Sequence, residues 1–252
     1  MALGIGDDGA LINPSADTQL VMASDTLVES VHFPADASGE QIASRALCVN
    51  LSDMAAMGAT PKWFTLALTM PKHLANNQWL KSFSAGLADV AKEFDIALVG
   101  GDTTLGPLAV SITMLGEVPV GQALQRNGAL VGDAIYVTGT LADGAAALNI
   151  LKANANKVTE DSERLLARFD RPQPQIEAGI ALRIIASACI DISDGLVADL
   201  GHICLASGVK ANLVAQWLPI HRQLREMSEA DYLNWALTGG DEYQLCFILS
   251  AN

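Results

Sequence analysis

The sequence predicts an α/β first half and a mostly helical second half, organised as two domains. Three observations lead there: apolar runs of strand and helix period alternate through the first half, helical periodicity dominates the second, and a glycine-rich stretch from Gly121 to Gly132 separates them. A chain of 252 residues suits one large α/β unit or two ordinary domains, and the break in composition favours two, at 1–122 and 123–252.

Gln19 to Ser24 reads as a short strand ending at Asp25, and helical spacing follows from Gly39 to Met57 through Ile42, Ala46, Val49 and Asp53. Pro61 closes that segment. Trp63 to Met70 alternates as a strand does, and Asn76 to Phe94 forms an amphipathic helix with Trp79, Phe83, Leu87 and Val90 inward. Ile96 to Val99 is a buried strand with Gly-Gly-Asp-Thr-Thr at its tip, and Leu108 to Val118 is the next strand. In the second half Ala134 to Thr138 is a strand, and two helices flank the proline-bearing turn from Arg168 to Pro174. Cys189 to Ile192 runs into Asp194-Gly195, Leu196 to Ala206 is helical, and a helix at Asp231 to Leu237 precedes a last strand, Tyr243 to Leu249.

Composition excludes several classes of function. A net charge of −13 repels a nucleic-acid backbone. No apolar run approaches the roughly 20 residues that span a bilayer, and the N-terminus has no basic-then-apolar leader, so the expected place is the cytoplasm. Cys48, Cys189, Cys204 and Cys246 form no CxxC pair and sit in apolar runs, which predicts buried, reduced thiols. The P-loop pattern, the protein-kinase motifs and a nucleophile elbow are all missing from the sequence.

Chemistry concentrates in six stretches that set aspartate beside glycine, serine or threonine: Gly4 to Asp8, Ser24 to Thr26, Asn50 to Asp53, Gly100 to Thr104, Asp191 to Gly195 and Gly239 to Glu242. Hard oxygen ligands beside backbone that phosphate can approach closely suit a Mg-nucleotide site and phosphoryl transfer. Each stretch also has a structural reading. Asp7 with Asp8 fits an exposed turn, Asp25 an Asx turn, Asp102 and Asp194 helix caps, and Asp241-Glu242 a hairpin turn with solvated acids. Asp53 differs, because it sits in mid-helix among apolar residues; a cation or Arg45 must compensate it. His32 and Arg126 are the basic groups near these motifs.

In this order, GIGDD, SDT, NLSDMAAMGA, GGDTT, the glycine-flanked Arg126, DISDG and the GG-acid-acid-Tyr turn resemble the thiamine-monophosphate kinase family, related to aminoimidazole ribonucleotide and selenophosphate synthetases. The resemblance implies an α/β plus α+β fold: an N-terminal mixed sheet with helices that dimerises, and a C-terminal α+β domain closing over nucleotide and substrate. It implies Asp8, Ser24, Asp25, Asp53, Asp102, Asp191 and Asp194 as ligands of several Mg²⁺ ions. ATP is implied to meet Gly101, Asp102, Arg126 and Ser193, and thiamine monophosphate His32 and Asp241, with no catalytic base. The order here is GGDEYQL where the family commonly has GGEDYEL, which shortens the acid at 241. The resemblance also implies segments before GIGDD and after the last strand, the latter walling the thiamine ring, so a truncated substrate pocket is expected. Rival readings are another ATP-dependent enzyme of the superfamily and a non-catalytic Mg²⁺ or nucleotide-binding module.

Overall fold

A computed structural model of the chain describes residues 4–6, 8–153 and 160–250. Asp7, the first three residues and the last two, all used in the sequence reading, lie outside the described residues. The chain divides into two compact units, one of residues 1–54 and 59–121, the other of 55–58 and 122–252.

The first unit is a four-stranded mixed sheet with two helices. Its strands are β1 (Thr18–Val28), β2 (Thr60–Met70), β3 (Ala97–Leu105) and β4 (Ala109–Pro119), in the order β1-β4-β2-β3. β2 and β3 run parallel, and the other pairs are antiparallel. Side chains alternate between faces along each strand, so burial identifies the covered face. Val21 and Leu27 of β1, Phe64 and Leu68 of β2, and Val110, Ile112 and Met114 of β4 are buried there. Helix α1 (Gly39–Ala56) covers this face, its Met54 sulfur lying against Gly116 of β4. Helix α2 (Asn77–Glu93) is capped by the Asn76 side chain, which accepts from Trp79 N–H at 3.0 Å, and it buries Phe83, Leu87 and Val90. Trp79 is half-buried instead of inward, stacked on Phe83 at the edge of the core. Gly86 lets α2 approach α1, since a Cβ there would stand 2.4 Å from the Glu40 carbonyl oxygen.

The second unit is α+β. Strands β5 (Ala134–Val137), β6 (Ala186–Asp191) and β7 (Leu245–Leu249) form an antiparallel sheet in the order β5-β7-β6. Around it lie α3 (Asp143–Lys152), α4 (Glu160–Asp170), α5 (Ile176–Leu182), α6 (Leu196–Ser207), α7 (Arg222–Met227) and α8 (Tyr232–Thr238). The apolar stripe of α6, Leu196, Leu200 and Ile203, shares one core with Ile190 of β6 and Cys246 and Ile248 of β7. This is the fold class that the sequence predicts. Cys48, Cys189 and Cys246 are buried and Cys204 is half-buried, and all four are free thiols. Burial pushes the Cys189 thiol up, and that of Cys246 up to about 12.

Candidate functional site

In the first unit the predicted acidic residues fall inside elements more than at their ends. Asp25 is not the end of a strand: β1 continues to Val28, and Asp25 pairs with Ile112 of β4. It shares the covered face with Val21 and Leu27. Its backbone N–H donates to Asn50 Oδ1 of α1 at 3.2 Å, and Asn50 is itself pinned by donating to the Ala46 carbonyl at 2.9 Å. Asp53 follows Asn50 by three residues and so occupies the same face of α1. The Asp25 main chain thus meets α1 at Asn50, one helical turn before Asp53.

Asp53 corrects the sequence reading in one respect. It lies in the last turn of α1, partly exposed, and not in the buried middle. That turn carries no basic residue, and the C-terminal end of a helix is its negative pole, so the helix itself disfavours a carboxylate there and favours a cation beside it. Arg45, the alternative compensator, is buried and donates from Nε to the His32 carbonyl at 3.0 Å.

Ser24 leaves β1 on the face opposite to Asp25, where it bonds the Thr113 hydroxyl at 3.0 Å and the Ile112 carbonyl at 3.1 Å. The two side chains therefore stand on opposite faces of the sheet. GGDTT is likewise not a tip. β3 runs through it to Leu105, with Asp102 opposite Ala67 of β2 and exposed. Asp102 is thus no helix cap, and three strand spacings, about 14 Å, separate β3 from β1. Gly101 is obligatory here: its φ is +148°, and a Cβ would lie 1.9 Å from the Leu66 carbonyl oxygen. Asp8 is exposed ahead of β1. His32 is exposed too. Its Nδ1 accepts from Val28 N–H at 3.0 Å, which leaves the Nε2–H for a ligand.

In the second unit two predicted motifs form one assembly. The turn after β6 (Asp191 to Gly195) and the turn before β7 (Gly239 to Glu242) are laced by backbone bonds. Asp241 N–H donates to Ser193 O at 2.9 Å, Tyr243 N–H to Ile192 O at 2.8 Å, and Ile192 N–H to Gln244 O at 2.8 Å. The approach is close enough to demand glycine, since a Cβ on Gly240 would stand 2.5 Å from Ser193 O. Asp191 is buried at the end of β6, Ser193 half-buried, and Asp194 exposed. Tyr243 donates its hydroxyl to Asp241 Oδ1 at 3.1 Å. Asp241 at φ +63° and Tyr243 at φ +52° both hold left-handed backbone, a strain of the kind that surrounding contacts must enforce. Arg126 is exposed on the connecting segment, where its carbonyl accepts from Ser207.

Three residues of this assembly differ from the sequence reading, two of them unnamed there and Glu242 read as a solvated acid. Asp194 does not cap α6; Gly195 occupies the cap position, and buried Asp199 accepts from the N–H groups of both Asp194 and Gly195 at 3.0 Å. Burial raises the Asp199 carboxyl above its ordinary range. Its readable signal is an acid in the first turn of a helix directly after a glycine turn. Asp199→Ala is expected to lower unfolding free energy by about 2 kcal/mol in urea titration, because a buried and a part-buried N–H lose their shared acceptor. Glu242 is the second: it is not a solvated turn acid but is 2% exposed, accepting from Gly144 N–H at 3.2 Å. Asp143 is the third, also buried, and paired with Arg164 and Arg168 of α4.

Among the described residues, no group of three or more His, Cys, Asp or Glu side chains is placed to hold a metal ion. No described helix is long and apolar enough to cross a membrane.

Comparison with known proteins assigns the chain. Residues 6–118 match the N-terminal domain of AIR synthase related proteins, and residues 131–242 match the C-terminal domain. The thiamine-monophosphate kinase of Salmonella typhimurium is 48% identical over 247 residues, which are 97% of this chain and 75% of that protein. A crystal structure of thiamine-monophosphate kinase from Stenotrophomonas maltophilia superposes with a TM-score of 0.93 at 47% identity, covering 99% of this chain and 80% of that one. A structure described as AaThiL complexed with AMPPCP and TMP gives 0.88 at 32% identity, covering 98% and 80%. Identity this high, sustained through both domains and over most of each relative, shows that the chain belongs to the thiamine-monophosphate kinase family.

Proposed function

We propose that this chain transfers the γ-phosphoryl group of ATP to the phosphate of thiamine monophosphate, forming thiamine diphosphate and ADP. The observation that carries the reading is the two-domain match to a structure holding an ATP analogue together with TMP. The reading keeps Asp8, Asp25, Asp53, Gly101, Asp102 and His32 as ligand contacts of the first unit, and Arg126, Asp191, Ser193, Asp194 and Asp241 as ligand contacts of the second.

The donors fit Mg²⁺. They are oxygen ligands, and Mg²⁺ takes one or two carboxylates together with waters and substrate phosphates, so the pair Asp25 and Asp53 suffices without a cage of three acids. When bound, the ions supply charge neutralisation between the two phosphates and alignment of the in-line attack. The reading keeps Ser24 as a further oxygen ligand, and Asp53 sits at a helix end that favours a cation beside it.

The protein's own groups do the positioning. The acceptor phosphate has its second pKa at about 6 and is substantially ionised at neutral pH, so no residue need remove a proton. His32 presents Nε2–H, Arg126 a permanent cation, and the strained turn at Asp241 an oriented acceptor. The reading includes a homodimer formed through the uncovered face of the first sheet, where Leu20 is 46% and Met22 71% exposed. It also includes a cytoplasmic location, because charged phosphates do not cross a bilayer unaided.

ADP release is expected only when Mg²⁺ and thiamine monophosphate are both present, and chelation by EDTA is expected to abolish it reversibly. A coupled ADP assay with thiamine monophosphate, aminoimidazole precursors and selenide in parallel checks this. Turnover with either of the last two in place of thiamine monophosphate would move the chain elsewhere in the superfamily.

A further inference from the structure

Behind the turn that carries Asp241 lies a buried polar cluster to which the transfer reaction assigns nothing. Asp143, the first residue of α3, is 1% exposed, and both Arg164 and Arg168 of α4 address its Oδ2. Gln244, in the segment leading into β7, meets Thr138; with its amide assigned so that nitrogen faces Thr138, its oxygen accepts from Arg168 Nη2 at 2.8 Å. Glu242 reaches into this cluster from the turn, its Oε1 taking the Gly144 N–H at 3.2 Å. Two oxygens there lack a donor: Asp143 Oδ1 and Glu242 Oε2.

We propose that Glu242 is a positioning residue, acting as a neutral carboxylic acid that clamps the Asp241 turn between the start of α3 and Ser193. The proposal rests on the reading of Ser193 and Asp241 as ligand contacts.

Four observations support it. The turn is strained on both sides of Glu242, at Asp241 and Tyr243, and strain persists only where contacts enforce it. The turn is packed too closely for any side chain at Gly144, where a Cβ would stand 2.5 Å from Gly240 O and 2.6 Å from Asp241 O. An ionised carboxylate would need donors for both oxygens, and Oε2 has none. A proton on Oε2 makes it a donor, and nearby Asp143 Oδ1 is an acceptor without one.

Electrostatics points the same way. The charged groups facing Glu242 are Asp143 from α3 and Arg168 from α4, with Arg164 behind Asp143. Burial, more than the neighbouring Asp143 charge, pushes the Glu242 carboxyl up to about 8, against the opposing pull of Arg168. Folding therefore favours the protonated acid. The stability it contributes is whole below the ordinary glutamate value and is lost as pH rises through about 8.

The test compares the chain with Glu242→Gln, whose amide keeps the shape and a donor but cannot ionise. Between pH 7 and pH 9 the unaltered protein is expected to show a KM for thiamine monophosphate rising at least about fivefold, while that of Glu242→Gln stays level. Protection factors of the Asp241 and Tyr243 amides, from hydrogen exchange corrected for intrinsic rates, are expected to fall over the same range in the unaltered protein only. Parallel profiles for the two proteins in both measurements overturn the proposal. If neither turns over thiamine monophosphate, the functional reading fails by itself, and the exchange profiles still decide whether Glu242 clamps the turn.

Discussion

Asp53→Asn is expected to lower kcat/KM for thiamine-monophosphate-dependent ADP release by at least about 100-fold, the size of effect that follows loss of a group stabilising transition-state charge. The same change is expected to leave the metal-free protein folded. Asp53 stands in the last turn of α1, a turn with no basic residue of its own, at a helix end that is already negative. The helix-end contribution to removing that charge is about 0.3–1 kcal/mol in favour of folding. The two results together discriminate sharply, because a residue kept for the fold would lose stability and activity in step. Thermal unfolding without Mg²⁺, beside steady-state kinetics with it, makes the comparison. A variant with unimpaired kcat/KM would remove Asp53 from the site.

Gly101→Ala is expected to be the most damaging single-methyl change in the first unit, lowering its unfolding free energy by about 3 kcal/mol or more. Two costs combine. The φ of +148° is one that L-residues rarely adopt, and the added Cβ would meet the Leu66 carbonyl oxygen, carbon and nitrogen at 1.9, 2.7 and 2.9 Å. Relief requires β2 and β3 to separate along their parallel register, which displaces Asp102 one residue further on. Gly100→Ala is the matched control. A Cβ there meets nothing within 4 Å. Equal unfolding midpoints for the two variants in urea would show that β3 does not hold this geometry.

The elements were legible because their apolar periods are strong. The helices around Ile42 to Val49 and Phe83 to Val90, and the strand from Leu108, fall within a residue or two of the expected positions. What escaped was the depth at which strands carry acids. Aspartate is a poor strand former, so Asp25 and Asp102 read as strand ends, yet both are internal. β1 tolerates Asp25 as an edge strand beside Asn50, and β3 tolerates Asp102 on an exposed position. The mutual lacing of the two turns in the second unit depends on residues some fifty apart in sequence, which no local pattern records. Asp143 escaped for the same reason, because its partners Arg164 and Arg168 are distant in the chain. Glu242 and Asp241 look alike as neighbouring acids, and only the fold turns one inward and leaves the other half-exposed.

The uneven burial of the four thiols has a practical corollary. Cys48, Cys189 and Cys246 are shut away, and the last two resist ionisation, so an alkylating or oxidising reagent meets Cys204 first. Cys204 rides on α6, the helix that starts directly behind the Asp191 to Gly195 turn. A dye attached there would sit on the element whose first turn touches the proposed nucleotide contact, and its emission could follow ligand arrival without any engineered cysteine.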